Sequence, residues 1–272
     1  MKSVAYFENG KPIQALSYCA FLDILGFRER ILAGEKSGGS DELFQRFHSI
    51  LENRLKVLRA ECRETHMEMK SFSDNVLIAS PAISPDMEFE FALIMWALRA
   101  YQLEMALEGL FVRGGLSVGK LFVGPDNVYG KALIDAYELE SKVSVYPIVT
   151  LSDEAMFCVN EHLKYYAGDF APQLRDVLVT SEGRYFINYL RECIIEGDEE
   201  ESLDVKKLVR HRTRIEQALK ESQGNDRVHA KYSWLACYHN YFCESVKRLR
   251  GYKKSMLVGG AAENVLIRGI RQ

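Results

Sequence analysis

Residues 17–25, SYCAFLDIL, form a short apolar run of strand length with one carboxylate, Asp23, inside it. A carboxylate among apolar neighbours is costly unless a cation or hydrogen bonds compensate it, so Asp23 needs a reason to be there. Asp74 poses the same question. It sits at the tip of a hairpin pattern in which residues 67–72 and 76–79 flank the polar Ser73-Asp74-Asn75. If that hairpin pairs beside the first strand, the two carboxylates converge, although a turn cap for Asp74 and a helix cap for Asp23 remain open for each residue alone.

Outward from these two segments, Leu43, Phe44, Phe47, Leu51 and Leu55 follow helical spacing, with Ser40 and Asp41 as N-cap candidates. A second helix is predicted over residues 88–108, with Phe89, Ala92, Trp96, Leu103 and Leu107 on its apolar side and Gly109 as its stop. Residues 110–123 read as a strand interrupted by Gly114, Gly115 and Gly119, glycines that suggest a bulge or a ligand close to the backbone. A turn at 124–127, a helix over YGKALIDAYELES and a strand at 148–151 complete the pattern. The order β, α, β-hairpin, α, β, α, β predicts an α+β fold, a mixed sheet with helices on one face in the palm or ferredoxin-like arrangement.

After about residue 155 the strand signals fade. The acidic stretch 196–201 reads as a solvated loop, Val205, Leu208, Arg212, Ile215 and Leu219 mark a helix, and KYSWLACYHNYFCESVKRL is a further helix whose aromatic residues suit a packing face. The expected organisation is a unit at 12–155 and a mainly helical extension at 156–272, packed on the core or on a partner subunit.

Composition narrows the function classes. The chain has 272 residues, with 35 Lys and Arg against 38 Asp and Glu, so no global basic field exists to collect nucleic acid. Apolar runs are broken well before the roughly 18 residues of a membrane span, and the N-terminus shows no secretory apolar core, so a cytoplasmic protein is expected. Six dispersed cysteines without a CxxC pair read as reduced thiols rather than a disulfide framework or zinc site. Gly26 and Phe27, directly after the first strand, can turn backbone N–H groups toward a phosphate at a helix start. GxxxxGK[ST] is absent, so this is no P-loop.

Four segments together resemble a known family. FLDILGF (residues 21–27) and KSFSDNVLI (70–78) look like the first metal-binding strand and the second metal-binding hairpin of class III nucleotidyl cyclases. VRGGLSVGKLFVG (112–124) and VYGKALIDAYELES (128–141) are similar to the strand and helix that follow in that family. The resemblance spans about half the chain. It implies conversion of a nucleoside triphosphate to a 3′,5′-cyclic monophosphate and pyrophosphate, at sites between two subunits of a homodimer.

By the same resemblance, Asp23 and Asp74 match the metal aspartates, the carbonyl of Ile24 a backbone metal ligand, and Lys70 a base-reading lysine whose partner position is Asn127. Two Mn²⁺ or Mg²⁺ ions are implied. The family's helix carries an Asn and an Arg four residues apart for the ribose and the transition state; Ile134 and Glu138 stand there and can do neither task. Arg113, Lys120, Lys131 and Lys142 are nearby cations that could substitute. The SDN tip, the GKALIDAYELES helix and the KYSWLACYHN segment are similar to bacterial pyrimidine cyclases of the anti-phage Pycsar system, which make cyclic UMP or cyclic CMP for a separately encoded effector. UTP is the expected substrate, with CTP or loss of turnover as alternatives.

Overall fold

β1 (Phe7–Glu8) and β2 (Lys11–Pro12) form a small ribbon that leads into β3 (Ala15–Ile24), the strand carrying Asp23. Two helices follow, α1 (Phe27–Ser37) and α2 (Ser40–Glu61), then the hairpin of β4 (Glu68–Phe72) and β5 (Asn75–Pro81). Helix α3 (Glu88–Leu107) returns the chain to β6 (Val112–Val123). These four strands lie in the order β6-β3-β5-β4 with every neighbour antiparallel, the β-α-β-β-α-β ferredoxin-like arrangement expected above. The computed structural model describes residues 4–61, 65–168, 170–197, 200–261 and 267–271.

Beyond β6 come β7 (Val128–Tyr129), which folds back on it, then α4 (Lys131–Glu138) and β8 (Val149–Leu151), which runs parallel to β6. The sheet does not end there, where the sequence shows no further strand pattern. After α5 (Asp153–His162) and α6 (Gln173–Asp176), β9 (Val177–Val179) and β10 (Tyr185–Ile187) join beside β8. β11 (Ile194–Ile195) and β12 (Ser202–Leu203) make a second ribbon, and after α7 (Val205–Glu221) and α8 (Asp226–Ser245) the strand β13 (Arg268–Gly269) pairs with β9. The late sheet strands span two or three residues each, too few for alternation to show in a sequence. Glu196 and Glu200 are exposed as expected of the acidic stretch, of which residues 198 and 199 lie outside the described residues.

Helices cover both faces of the sheet, not one. Tyr18, Ala20, Leu22 and Ile24 pack toward Phe91, Ile94 and Leu98 of α3 and Phe47 of α2, whereas the intervening Cys19 and Phe21 meet Ala132 and Ala136 of α4. Alternate residues of a strand point to opposite faces, so these are two layers. The pattern was hidden because β3 is apolar on both sides, with Cys19 and Ala20 alike fully buried. Gly115 explains the close second layer: a Cβ there would run into the Ala136 carbonyl and Leu139 Cβ. Gly119 likewise lies against Ala132 of α4, whereas a Cβ on Gly114 would meet Leu22 and the Phe21 carbonyl of the neighbouring strand β3.

Two helix faces also differ from expectation. Phe89 and Ala92 of α3 are exposed, and the buried side is Phe91, Ile94, Met95, Leu98 and Tyr101. α3 is apolar nearly all round, so spacing alone admits more than one face. Phe44 of α2 is exposed and stacks on His48.

The late segments are tied to the early ones by polar contacts. Arg99 of α3 pairs with Asp176 and, at 3.0 Å, with Glu192, and Arg191 meets Asp176 at 2.5 Å. Between α7 and α8, His211 and His239 are fully buried with Nδ1 atoms 2.9 Å apart. His239 Nε2–H donates to the Met256 carbonyl at 3.0 Å, so its Nδ1 accepts from His211 Nδ1–H, and His211 Nε2 accepts from the Tyr189 hydroxyl at 2.8 Å. The aromatics of α8 are a packing face, with Tyr232, Trp234, Tyr238 and Phe242 buried. Cysteines 19, 158, 193, 237 and 243 are free thiols; Cys62 lies outside the described residues.

Candidate active site

Asp23 is the last residue of β3 on the α4 face, and the ladder sets it directly opposite Arg113 at the start of β6. Arg113 donates from Nε to Asp23 Oδ2 at 3.1 Å, and its Nη2 lies 3.0 Å from the same oxygen. Nη2 also stands 2.7 Å from Glu140, in the π-helical turn Leu139–Val143 that follows α4. That second contact is a close ion pair rather than an aligned hydrogen bond, and Glu140 is almost fully buried.

Asp74 reaches the same place from the other side. Ser73 and Asp74 form the two-residue link between β4 and β5, with Ser73 in the left-handed region at φ 56°. The Ser73 hydroxyl donates to Asp74 Oδ1 at 2.9 Å and so steers the carboxylate. Burial pushes Asp23 above the ordinary carboxylate range; the Arg113 hydrogen bond and charge oppose this, and a side-chain hydrogen bond and the charge of Asp74 add to it. Glu140 is raised as well, first by burial, with Arg113 lowering it and Asp23 and Asp74 raising it. Two carboxylates therefore share one guanidinium, with the charge of Asp74 acting on both, an excess of negative charge.

The other predicted residues divide into groups. Ile24 follows Asp23 with its side chain in the core, leaving only its main chain for a ligand. Gly26 adopts φ 71°, a left-handed turn suited to glycine, and is exposed just before α1. Phe27 buries its ring against Phe47, so its backbone N–H is what an anion could use. Lys70 projects to the Asp23 face, its row running through Leu77 and Phe21, but its Nζ points to the Pro125 carbonyl at 3.5 Å. Lys70 thus meets the Gly124–Asn127 turn, closed by the Gly124 N–H to the Asn127 carbonyl at 2.8 Å.

Of the substitute cations, only Arg113 joins the carboxylates. Lys131 pairs with Asp135 and Lys142 with Glu138 along exposed helix surface, and Lys120 is exposed. Ile134 is itself exposed. Two residues that sequence reasoning passed over belong to the cluster: Glu140, and Lys231 of α8. The charge of Lys231 is felt by Glu140, and Asp23 and Glu140 act on Lys231 in turn. Its signal was present in the sequence, since Lys231 stands in helical line with Trp234, Leu235 and Tyr238, on the face that packs.

No protein family and no curated protein matches this chain. Solved structures do. A class III adenylyl cyclase-like ATP-binding protein from Pseudomonas aeruginosa matches with TM-score 0.42 and 15% identity over 53% of this chain and 35% of its own. The guanylate cyclase domain of RhGC from Catenaria anguillulae, in complex with GTP, matches with TM-score 0.43 and 15% identity over 64% of this chain and 96% of its own. A bacterial light-regulated adenylyl cyclase matches with TM-score 0.43 and 17% identity over 66% and 53%. The chain spans about a third of the length of the first and about half of the last. At these identities and scores the chemistry has to be argued from the site.

Proposed function

We propose that this protein is a metal-dependent pyrimidine nucleotide cyclase, converting UTP to 3′,5′-cyclic UMP and pyrophosphate. The observation that carries this is the meeting of Asp23 and Asp74 at one end of a ferredoxin-like sheet, where the Asp74 carboxylate adds to the cost of ionising Asp23. A divalent cation removes that cost. The donors within reach of it are hard oxygens, from Asp23, Asp74 and the Ile24 main chain, which suit Mg²⁺ or Mn²⁺. Among the described residues no group of three or more His, Cys, Asp or Glu is placed to hold a metal, so an ion held by Asp23 and Asp74 would need further oxygen ligands from outside the protein.

Bound there, the ions neutralise the triphosphate and polarise its α-phosphorus. In the reaction the ribose 3′-oxygen bonds to the α-phosphorus as the bond to the bridging oxygen breaks. Pyrophosphate leaves with the electron pair, and the hydroxyl proton passes to water. Asp23 and Asp74 would hold the ions, with Arg113 orienting the first carboxylate and the Ser73 hydroxyl the second. The N–H groups of Gly26 and Phe27 face a phosphate oxygen at the start of α1.

Lys70 and Asn127 read the base. An ammonium only donates, which favours uracil O4 over the cytosine amine, while Asn127 can serve either base and keeps CTP as an alternative substrate. The two groups fit a homodimer in which Lys70 and Asn127 of one protomer face the carboxylates of its partner. Exposed Ile134 and Tyr137 offer apolar surface for such pairing. The product would act as a second messenger on a separately encoded effector in anti-phage defence.

The test is incubation of the purified protein with each of the four ribonucleoside triphosphates and Mn²⁺, with products identified by mass. Cyclic UMP is expected; absence of any cyclic nucleotide and of pyrophosphate rejects the assignment. A second reading, nucleotide binding without turnover, is favoured by Glu138, which pairs with Lys142 where the transition state needs a cation. Calorimetric binding of UTP with no conversion would support it.

A further inference from the structure

Helix α8 lies on the same face of the sheet as Asp23. Phe21, Gly115, Thr150 and Phe186 occupy one continuous row across β3, β6, β8 and β10. Gly115 of that row touches α4, and Phe186 packs on Trp234 and Tyr238 of α8, with ring centroids 5.6 and 5.5 Å away. The face that carries Asp23 therefore carries α4 and α8 side by side.

Two aromatic contacts fix where the start of α8 sits. Tyr232 packs on Phe111 at 5.5 Å, two residues before Arg113. The Leu25 N–H donates to the Phe111 carbonyl at 2.8 Å, so this anchor lies just past Asp23 as well. Trp234 stacks on Tyr146 at 4.5 Å and 10° between planes, shortly after the turn that holds Glu140. Lys231 is next to the first anchor and one turn before the second. It shares the helix face of Trp234 and Leu235, both buried, and is itself half-buried.

Its charged surroundings are those of the site. Asp23 and Glu140 attract it, and Arg113 and Arg227 repel it. Among the described residues it makes no ion pair of its own. Burial pulls its ammonium below the usual lysine range, so the fold keeps a cation there at a cost.

Resting on the triphosphate site argued above, we propose that Lys231 binds the leaving β- and γ-phosphates, supplying from the C-terminal helix the cation that α4 lacks at Ile134 and Glu138. Half-buried beside the carboxylates, Lys231 would present its N–H donors to phosphate oxygen. Arg113 cannot take this role without leaving Asp23 and Glu140 unpaired. A lysine serves well as a point charge on phosphate.

The experiment uses the full chain with Mn²⁺ and compares K231M, which keeps the apolar stem, with K231R. UTP and UMP binding are measured by calorimetry and cyclisation by product mass. K231M should weaken UTP at least about tenfold and slow cyclisation, with UMP affinity and the thermal unfolding midpoint unchanged; K231R should restore UTP binding. Wild-type affinity and turnover in K231M overturn the assignment, and so does an equal loss of UTP and UMP, which marks a structural role. If the wild-type chain binds no triphosphate, the site itself is rejected along with it.

Discussion

Arg113 faces Asp23 across the β3–β6 ladder and holds it with two nitrogens while its Nη2 reaches Glu140. One guanidinium thus braces the strand end and the π-helical turn after α4. R113M leaves two largely buried carboxylates without a partner, and a loss of about 2 kcal/mol is expected. Urea unfolding at pH 7.5 measures it. Much of the loss should return as the pH is lowered, because the pKa values of Asp23 and Glu140, already raised, rise further without the guanidinium; an unchanged midpoint would show that the pair contributes nothing.

The two aspartates are not equivalent to the fold. Asp74 raises Asp23, so D74N should stabilise the metal-free protein at neutral pH, whereas D23N ends the same repulsion but takes a partner from Arg113 and should gain less. Both should abolish cyclisation. Mn²⁺ at a hundred times its dissociation constant should stabilise the wild type by about 2.7 kcal/mol and neither variant. Thermal unfolding with and without Mn²⁺ reads all of this, and a full Mn²⁺ shift in D74N would remove Asp74 from the metal site.

On the proposed reading Lys70 contacts the base and not the phosphates, so K70A should change the ratio of kcat/KM for UTP over CTP by about tenfold and leave the Mn²⁺ requirement as it is. A uniform fall for both nucleotides would place Lys70 elsewhere in the mechanism.

The buried histidine pair makes stability fall on acidification. Burial lowers His211 well below the ordinary range and His239 to about 4, with further lowering from His239 on His211 and from Arg212 on His239. The unfolded chain therefore binds more protons from about pH 6.5 downward, and stability drops as pH falls toward the folded values. His239 alone accounts for roughly 3 kcal/mol when the drop is complete. Asp23 and Glu140 act in the opposite sense, so the histidine contribution is read as the difference between wild type and H239Q in urea midpoints from pH 7.5 to 5.5. H239Q should flatten that slope; equal slopes in both proteins would refute it.

The part of the site legible in sequence was the part made by neighbours in the ladder. Asp23 stood out as a charge in an apolar strand, and Asp74 as the tip of a recognisable hairpin. Their meeting follows once β5 is set beside β3. Glu140 was not legible, because its place depends on a π-helical turn that no periodicity announces, and Lys231 showed only as a lysine on a packing face, with nothing to say that its neighbours are Asp23 and Glu140. The second layer of helices was hidden by strands apolar on both faces, and the late strands by their brevity.

The sheet closes with β13, from the last described residues, laid against β9 beyond β10 and β8. A chain cut after residue 155 would bare the edge of β8 and the faces that Arg99 and Trp234 now secure, inviting aggregation rather than giving a portable catalytic half. The carboxylate end and the tail share one sheet and one set of packed faces. Swapping either between relatives should fail unless the other travels with it.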